Sequence, residues 1–331
     1  MGRKAFVTGG SGFLGGHIIR QLIEQGWDVT ALHRPGGDRE RLEQLGTRPV
    51  AAQLHEAGQL AEVIPHGVDA IFHVAGNTSM WRREAPQQFR DNVLGTRAVV
   101  NAALMRGAQR LIHTSSISAY GIQHEPISED TPSTAAADWI SYNRTKYLAE
   151  CEVRQGMARG LEAVILNPCG IIGAGDTHNW SQLIALIDTG RLPGVPPGSG
   201  SFCHVAEVAR AHLAAVDRGR PGANYILSGI DASFLELAAT ISELLARTPP
   251  RRTVPKLVLR LAGRLYPVLS SFTRQEPRLT PEKVALVTNR VVASSTRAQQ
   301  ELGFNANVPL RTMLQECIDW MRAEAMLQPA R

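Results

Sequence analysis

The sequence predicts an α/β fold, a doubly wound parallel sheet followed by a smaller, mostly helical C-terminal part. Short apolar runs alternate with longer helical patterns through the first half of the 331 residues, as in consecutive βαβ units. The runs are almost wholly apolar, which is typical of strands that helices cover on both sides. A glycine-rich turn joins the first run to the first helical pattern. Together these observations favour one large sheet in the first half of the chain.

The strands of this sheet are predicted from short apolar runs. They are Lys4–Thr8, Asp28–Leu32, Pro49–Leu54, Ala70–Val74, Arg110–Thr114, Ala163–Asn167 and a later return at Asn224–Leu227. Apolar residues at helical spacing predict the helices between the first six strands. They are Gly15–Gln25, Arg39–Leu45, Leu60–Ile64, Ala85–Arg106 and Ser141–Ala158. The sheet domain is expected to span residues 1–170, with the returning strand near 224–228.

The remaining residues, 171–223 and 229–331, are expected to form the smaller part. Residues 193–200 are rich in proline and glycine, which predicts a loop. Helices are predicted at Ala206–Arg218, Phe234–Ala246 and Leu310–Ala325. Two arginines interrupt the apolar stretch Lys256–Phe272, which disfavours a membrane span. Because the first strand leaves no room for a signal peptide, we expect a cytoplasmic protein with no membrane partner.

Charge and cysteine spacing disfavour two further kinds of protein. The net charge is +5, but the arginines are scattered and form no basic stripe, so no nucleic-acid partner is expected. The four cysteines lie far apart without CxxC spacing. We therefore expect neither a metal site nor a disulfide framework.

The strongest functional signal is the turn Thr8-Gly-Gly-Ser-Gly-Phe-Leu-Gly15, which closes the first strand and opens the first helix. Glycines allow a tight turn in which backbone N–H groups approach a pyrophosphate, and the helix N-terminus adds partial positive charge. The strand before the turn and the helix after it supply the context that this motif requires. The turn residues predicted to bind a dinucleotide are Gly9, Gly12, Phe13, Leu14 and Gly15.

The end of the second strand bears on the choice between NAD and NADP. An acidic residue there would hold the ribose hydroxyls of NAD. The sequence instead has His33-Arg34 at this point, and the first carboxylate after them is Asp38. Arginine forms charge-assisted hydrogen bonds to a 2′-phosphate, which a carboxylate would repel. Arg34, beside His33, is the first candidate for NADP selection, and Arg39 is the second. We expect NADP(H), with NAD(H) as the alternative.

A candidate for proton transfer is the pair Tyr142 and Lys146, which lie four residues apart and hence on one face of a helix. A phenol has a pKa near 10, and a fixed cation beside it favours the phenolate and lowers that value. Upstream, Ser116 follows a strand end, where doubly wound sheets place their ligands. Its hydroxyl could hydrogen-bond a carbonyl oxygen on which charge develops.

In sequence and in order, these motifs resemble the extended short-chain dehydrogenases/reductases, also called the NAD-dependent epimerase/dehydratase family. The matching segments run along nearly the whole chain. They are Thr8–Gly15, His73–Gly76, Asn92–Thr96, Thr114–Gly121, Tyr142–Lys146, Asn167–Pro168, His204–Val205, Asn224–Gly229 and Ala298–Phe304. The resemblance implies a Rossmann-type NADP-binding domain over residues 1–170 and a substrate-binding portion in the rest.

The resemblance also implies roles for particular residues. Tyr142 would exchange a proton with the substrate, Lys146 would lower the pKa of Tyr142 and hold the nicotinamide ribose, and Ser116 would polarise the carbonyl. Gln53 stands where the family usually has an aspartate that meets the adenine, so adenine binding is altered. The further cofactor contacts expected are Gln53, Leu54, Ala75, Gly76, Asn77, Thr114, Pro168 and Ile171.

Within the family, the segments around Ser115, Arg210, Arg220 and Asp319 resemble the dihydroflavonol-4-reductase-like branch. That branch implies an NADPH-dependent carbonyl reductase, and the chain lacks the paired acids that a dehydratase carries before Tyr120. A nucleotide-sugar epimerase is the alternative, because scattered arginines could neutralise a diphosphate. They are Arg191, Arg251 and Arg252. A sensor that binds the dinucleotide without chemistry is a third, less favoured reading.

The substrate is expected to be a small carbonyl compound or the matching alcohol, held in an apolar or aromatic pocket. The residues expected to wall that pocket, besides Ser116, are Met80, Trp81, Trp180 and Phe202. By analogy with relatives, the helices Ala85–Arg106 and Ser141–Ala158 would form a homodimer interface.

Overall fold

The computed structural model describes residues 2–263, 277 and 279–328, and a parallel sheet lies at its centre. The strands are β1 Lys4–Thr8, β2 Asp28–His33, β3 Arg48–Ala51, β4 Ala70–His73, β5 Leu111–Thr114, β6 Ala163–Pro168 and β9 Asn224–Leu227. Within the described residues they pair in parallel in the order β3-β2-β1-β4-β5-β6-β9. The predicted doubly wound parallel sheet is confirmed, and each strand ends within three residues of its predicted position.

Helices cover both faces of the sheet, because side chains alternate between the faces along each strand. These helices are α1 Phe13–Glu24, α2 Arg39–Gln44, α3 Ala57–Val63, α4 Ala85–Phe89, α5 Gly95–Arg106, α6 Ser141–Met157 and α8 Val205–Asp217. In β1, Ala5 and Val7 face a core shared with α1 and α8. Phe6 points the other way, into a core shared with α3, α5 and α6.

The helix predicted over Ala85–Arg106 is not continuous. Between α4 and α5 the chain forms a π-helical turn at Arg90–Leu94, which takes more residues per turn than an α-helix and is often found at functional sites. Asn92 is buried in this turn, and its Nδ2 donates to the Asn77 carbonyl at 3.0 Å and to Thr145 Oγ1 at 3.1 Å. Contacts distant in sequence therefore stabilise an interruption that local helix preference does not reveal.

The smaller part contains helices, as predicted, and also a three-stranded sheet that the sequence did not indicate. Its strands are β7 Gly170–Ile172, β8 Ser199–His204 and β10 Ile230–Ser233, in the order β10-β8-β7. Among the described residues the helices of this part are α7 Trp180–Asp188, α9 Phe234–Leu244, and further helices at Pro281–Val287, Thr296–Leu302 and Leu310–Ala323, and residues 256–263 are also helical. The segment 193–200 is not loop throughout, because its last two residues open β8 and pair with β10.

No helix among the described residues is long and apolar enough to cross a bilayer. The apolar stretch Lys256–Phe272 lies outside the described residues from position 264 onward. All four cysteines are free. The described residues contain no cluster of three or more histidine, cysteine, aspartate or glutamate side chains that could hold a metal ion.

Buried histidines lie between the sheet and its helices. His73 bridges Thr8 Oγ1 at 2.8 Å and Thr96 Oγ1 at 2.9 Å, and His212 bridges Thr114 Oγ1 and the Val208 carbonyl. Burial lowers the pKa of His73 to about 3 and that of His212 to about 4, because the charged ring would lose its hydration. Burial also lowers the pKa of His113 well below its usual value.

Acid is expected to destabilise the fold through these histidines. In the unfolded chain a histidine binds a proton below about pH 6.5, whereas the buried rings do so only at much lower pH. The unfolded state therefore binds more protons in this window, and stability falls as the pH drops below 6.5. We expect a loss of about 1 kcal/mol per buried histidine by about pH 5.5, measured by urea unfolding against a reference at neutral pH.

The variant His113→Leu separates this effect from the titration of carboxylates. Neither ring nitrogen of His113 has a hydrogen-bond partner among the described residues, so the substitution removes a titrating group without breaking a hydrogen bond. The variant should lose about 1 kcal/mol less on acidification than the parent protein. His124→Gln, at an exposed position, is the control and should match the parent. An equal loss of stability on acidification in the parent and both variants would contradict a destabilising role for the buried His113.

Candidate active site

A cleft of about 980 Å³ opens at the carboxyl ends of the parallel strands, where α/β sheets place their ligands. Every residue predicted to bind the dinucleotide lines it. These are Gly9, Gly12, Phe13, Leu14, Gly15, His33, Arg34, Gln53, Leu54, Ala75, Gly76, Asn77, Thr114, Tyr142, Lys146, Pro168 and Ile171. The three residues predicted to be catalytic, Ser116 among them, thus share one cleft with the glycine turn.

The glycine turn packs so closely that side chains would not fit. Gly9 has a φ of +73°, and a Cβ there would lie 2.6 Å from the backbone nitrogen of Ala75 on the β4 side. A Cβ on Gly15 would collide with the Gly9 carbonyl oxygen. The turn leaves the N-terminus of α1 without a side-chain cap at Gly12. Backbone N–H groups and the helix dipole can therefore face an anion, which fits the pyrophosphate of a dinucleotide.

At the end of this cleft next to β2, Arg34 is exposed and lines the wall beside His33. The second candidate, Arg39, does not line it and instead pairs with Glu43 at 2.8 Å. Asp38 also lines the cleft, but its Oδ1 accepts the N–H of Arg41 at 3.0 Å and caps α2. Of the two candidate arginines, Arg34 therefore lines the cleft and Arg39 does not.

At the other end, α6 carries Tyr142 and Lys146 to the cleft wall, and the segment after β5 carries Ser116. The Lys146 ammonium donates to the Thr114 carbonyl at 3.1 Å. Burial lowers the pKa of Lys146 to about 8, against the opposing charge of Glu150. Ser116 Oγ accepts the N–H of Ser118 at 3.2 Å, and Ser116 and Tyr142 line the same cleft. This arrangement can hold a carbonyl oxygen between a hydroxyl and a phenol.

The pKa of Tyr142 differs from the expectation that Lys146 would lower it. Burial raises this pKa above its usual value, and the polar side chain of Ser116 opposes the rise. Lys146 donates to a backbone carbonyl instead. In this structure Ser116, and not Lys146, is therefore the side chain that lowers the pKa of Tyr142.

The π-helical turn between α4 and α5 shapes the wall next to Lys146. Asn92 Oδ1 accepts the N–H of Asn77 at 2.7 Å, and a Cβ on Gly76 would lie 3.3 Å from Lys146 Nζ. Asp91, from the same turn, lines the cleft and accepts from Asn77 Nδ2 at 2.9 Å. The sequence showed the motif that contains Asn92, but no local signal showed that Asp91 would reach the cleft.

Of the aromatic and apolar residues predicted to contact substrate, Trp180 lines the cleft and Met80, Trp81 and Phe202 do not. Phe202 is buried in the smaller core, and its ring packs edge-on against Trp180 at 5.0 Å. Phe202 thus supports Trp180 from behind instead of facing the cleft. The further lining residues that sequence reasoning missed are Ser11, Leu32, Gly37, Ala52, His55, Val74, Thr78, Gln87, Ser115, Cys169, Gly170 and Asn179.

Comparison with known proteins shows the family of this chain. The profile of the NAD dependent epimerase/dehydratase family matches residues 5–227. The chain belongs to this family. Its members are nicotinamide-dinucleotide enzymes, among them oxidoreductases and epimerases, so the family fits the cleft described above.

Two curated relatives and one solved structure illustrate the range of this family. A putative dihydroflavonol 4-reductase from Synechocystis sp. is 29% identical and aligns over 96% of this chain and 94% of its own length. A 4-hydroxy-2-methyl-3-oxo-4-farnesyl-3,4-dihydroquinoline-1-oxide ketoreductase from Stigmatella aurantiaca is 32% identical over 92% of both chains. A UDP-glucose-4-epimerase from Stenotrophomonas maltophila, solved with bound NAD, is 26% identical, covers 98% of this chain and 99% of its own, and has a TM-score of 0.77. The relatives support the dihydroflavonol-reductase-like branch of the family.

The tight glycine turn gives a direct test of the dinucleotide site. Gly15→Ala adds a Cβ that collides with the Gly9 carbonyl oxygen, so the turn must open and its N–H groups must move. We expect the affinity for NADPH and NADH to fall by about tenfold or more, measured by fluorescence titration. Gly58→Ala is the control, because a Cβ there meets nothing within 4 Å. Wild-type affinity in the Gly15 variant would contradict a pyrophosphate site at this turn.

Proposed function

We propose that this family member is an NADP(H)-dependent oxidoreductase that reduces a ketone or aldehyde, or oxidises the matching alcohol. One observation carries the proposal: Ser116, Tyr142 and Lys146 meet in the same cleft as the glycine turn. A bound nicotinamide dinucleotide would supply or accept the hydride. The protein residues would then handle the oxygen atom and its proton.

In the direction of reduction, the substrate oxygen is expected to lie between the Ser116 and Tyr142 hydroxyls. Ser116 stabilises the negative charge that develops on the oxygen as the carbonyl carbon gains a hydride. Tyr142 donates its phenolic proton to that oxygen and becomes a phenolate. Ser116 is the side chain that lowers the pKa of the Tyr142 phenol in the structure. We propose that the Lys146 ammonium, which lies in the same cleft, stabilises the phenolate once it has formed, and its hydrogen bond to the Thr114 carbonyl fixes its position.

The charge distribution of the cleft supports a reductase over a nucleotide-sugar epimerase. Among the described residues that line it, Arg34 and Lys146 are the arginine and lysine side chains, and Arg34 lies at the end next to β2, where we expect the adenosine of the cofactor. The other arginines considered for a substrate diphosphate are exposed and do not line the cleft. They are Arg191, Arg251 and Arg252. A nucleotide-sugar epimerase stays the alternative function, because one of the similar solved structures is an epimerase. A sensor that binds the dinucleotide without chemistry is disfavoured, because Tyr142, Lys146 and Ser116 are all present.

NADP(H) is the proposed cofactor, because Arg34 is exposed and forms no ion pair within the described part of the chain. Its guanidinium is thus available to a 2′-phosphate. NAD(H) is the alternative, since Asp38 also lines this end. We further propose that residues 171–223 and 229–331 bind the substrate, and that the protein acts in the cytoplasm as a homodimer.

Replacing the proposed acid tests the mechanism. Tyr142→Phe removes the phenolic proton and should lower kcat/KM for carbonyl reduction by about 10²- to 10⁴-fold, with NADPH affinity within about threefold of wild type. Turnover is measured as NADPH oxidation with a panel of ketones and aldehydes. Tyr147→Phe, on the same helix, is the control and should keep wild-type turnover. An active Tyr142→Phe enzyme would overturn the assignment, and interconversion of a UDP-sugar without net cofactor use would favour the epimerase.

Cofactor choice is tested separately at the second strand. Arg34→Asp replaces the cation with a carboxylate that repels a 2′-phosphate and can accept from ribose hydroxyls. We expect the NADP/NAD preference to invert, with a change in the ratio of kcat/KM values of about 100-fold. Arg39→Asp, whose wild-type side chain pairs with Glu43 outside the cleft, should leave the ratio unchanged. An unchanged ratio in the Arg34 variant would refute its selecting role.

A further inference from the structure

Glu150 is a buried carboxylate one helical turn beyond Lys146, and it does not line the cleft. One of its oxygens accepts from Ser115 Oγ and from Asn167 Nδ2, both at 2.6 Å. The other accepts from Arg154 Nη2 at 3.0 Å and from Asn224 Nδ2 at 3.2 Å. Four donors thus satisfy the charge, as burial of a carboxylate demands.

These contacts lead directly to the segment that carries Ser116. Ser115 is its neighbour in sequence, and Asn167 Nδ2 also donates to the Ser116 carbonyl at 3.1 Å. Asn224 Nδ2 in turn donates to Asn167 Oδ1 at 2.9 Å. Glu150 therefore ties the ends of β5 and β6 and the start of β9 to the helix that presents Tyr142 and Lys146.

The charge of Glu150 also acts on Lys146. Burial alone favours the neutral amine, and the carboxylate opposes this, leaving the pKa of Lys146 at about 8. One other carboxylate lies on an element that packs against this part of α6: Asp91, on the π-helical turn, whose two oxygens accept from Asn77 Nδ2 and Gln87 Nε2. The buried histidines that face Lys146 from the sheet are His73 on β4 and His113 on β5. The two histidines are uncharged at neutral pH, because burial lowers the pKa of each.

We propose that Glu150 is a positioning residue for the reaction: it fixes Ser116 opposite Tyr142 and keeps Lys146 as an ammonium at neutral pH. Glu150 does not line the cleft, so it would act through these neighbours. The proposal rests on the proposed function for its kinetic test, whereas the titration of Lys146 tests it without any assumed activity.

The titration uses selective 13Cε labelling of lysine. The chain has Lys4, Lys146, Lys256 and Lys283 as its lysines, and Lys146→Arg identifies the signal of Lys146 by its loss. Glu150→Gln should move the midpoint of this signal to lower pH by about one unit. Glu152→Gln is the matched control, because Glu152 is equally buried on the same helix but pairs with Arg97 at 2.8 Å. It should leave the midpoint unchanged.

The kinetic test compares the pH dependence of kcat/KM for carbonyl reduction. Loss of the Lys146 proton would end activity on the alkaline side, so Glu150→Gln should shift this limb to lower pH by about one unit, and Glu152→Gln should not. Glu150→Asp keeps the charge but is one methylene shorter, so it cannot keep both 2.6 Å contacts in place. It should retain the alkaline limb while kcat falls by about tenfold.

The outcomes separate the two proposals. If the parent enzyme reduces no carbonyl compound, the proposed function fails, and the midpoint of Lys146 still decides the role of Glu150. A folded Glu150→Gln protein with the parent midpoint would overturn that role. If this variant does not fold, Glu150→Asp replaces it, and a wild-type kcat in the Asp variant would overturn the positioning of Ser116.

Discussion

The close approach of the glycine turn to β4 is the constraint on which the rest of the site depends. A Cβ on Gly9 would lie 2.6 Å from the Ala75 nitrogen, so the turn can contact the neighbouring strand only without side chains. β1 and β4 are neighbours in the sheet because the chain order reverses there, and such a switch point leaves a crevice at the carboxyl ends of the strands. The turn brings the N-terminus of α1 to that crevice, and the remaining strand ends supply the other walls.

A second requirement is that buried polar groups near the crevice be satisfied. His73 joins Thr8 on β1 to Thr96 on α5, and the Thr96 hydroxyl donates to the Asn92 carbonyl at 2.6 Å. That carbonyl belongs to the π-helical turn, where the regular helical hydrogen-bond pattern changes. A side-chain network therefore stabilises the irregular turn, as expected where a helix departs from its usual geometry beside a site. The same turn places Asp91 on the cleft wall.

The sequence predicted the parts of this structure that local chemistry determines. Apolar strands and the glycine turn can be recognised in the sequence because each needs particular residues next to one another. The Tyr142–Lys146 pair can be recognised because residues four apart lie on one face of a helix. The strands β7, β8 and β10 were missed because they are short, rich in glycine and serine, and stabilised by partners distant in sequence. Phe202 was placed in the substrate pocket because composition alone does not distinguish an aromatic residue that lines a pocket from one that packs behind it.

The two ends of the cleft differ in a way that constrains any ligand. At one end Arg34 is exposed, so its guanidinium can pair with an anionic group of a ligand. At the other, the ammonium of Lys146 is buried and already donates to the Thr114 carbonyl. A ligand with an anionic group beside Tyr142 would gain little binding free energy from Lys146, because that ammonium already has a partner. The carboxylate of Asp91, which lines the same wall, would also repel it. A molecule that is anionic at one end and neutral where it reacts suits this cleft, which supports a dinucleotide paired with an uncharged carbonyl group.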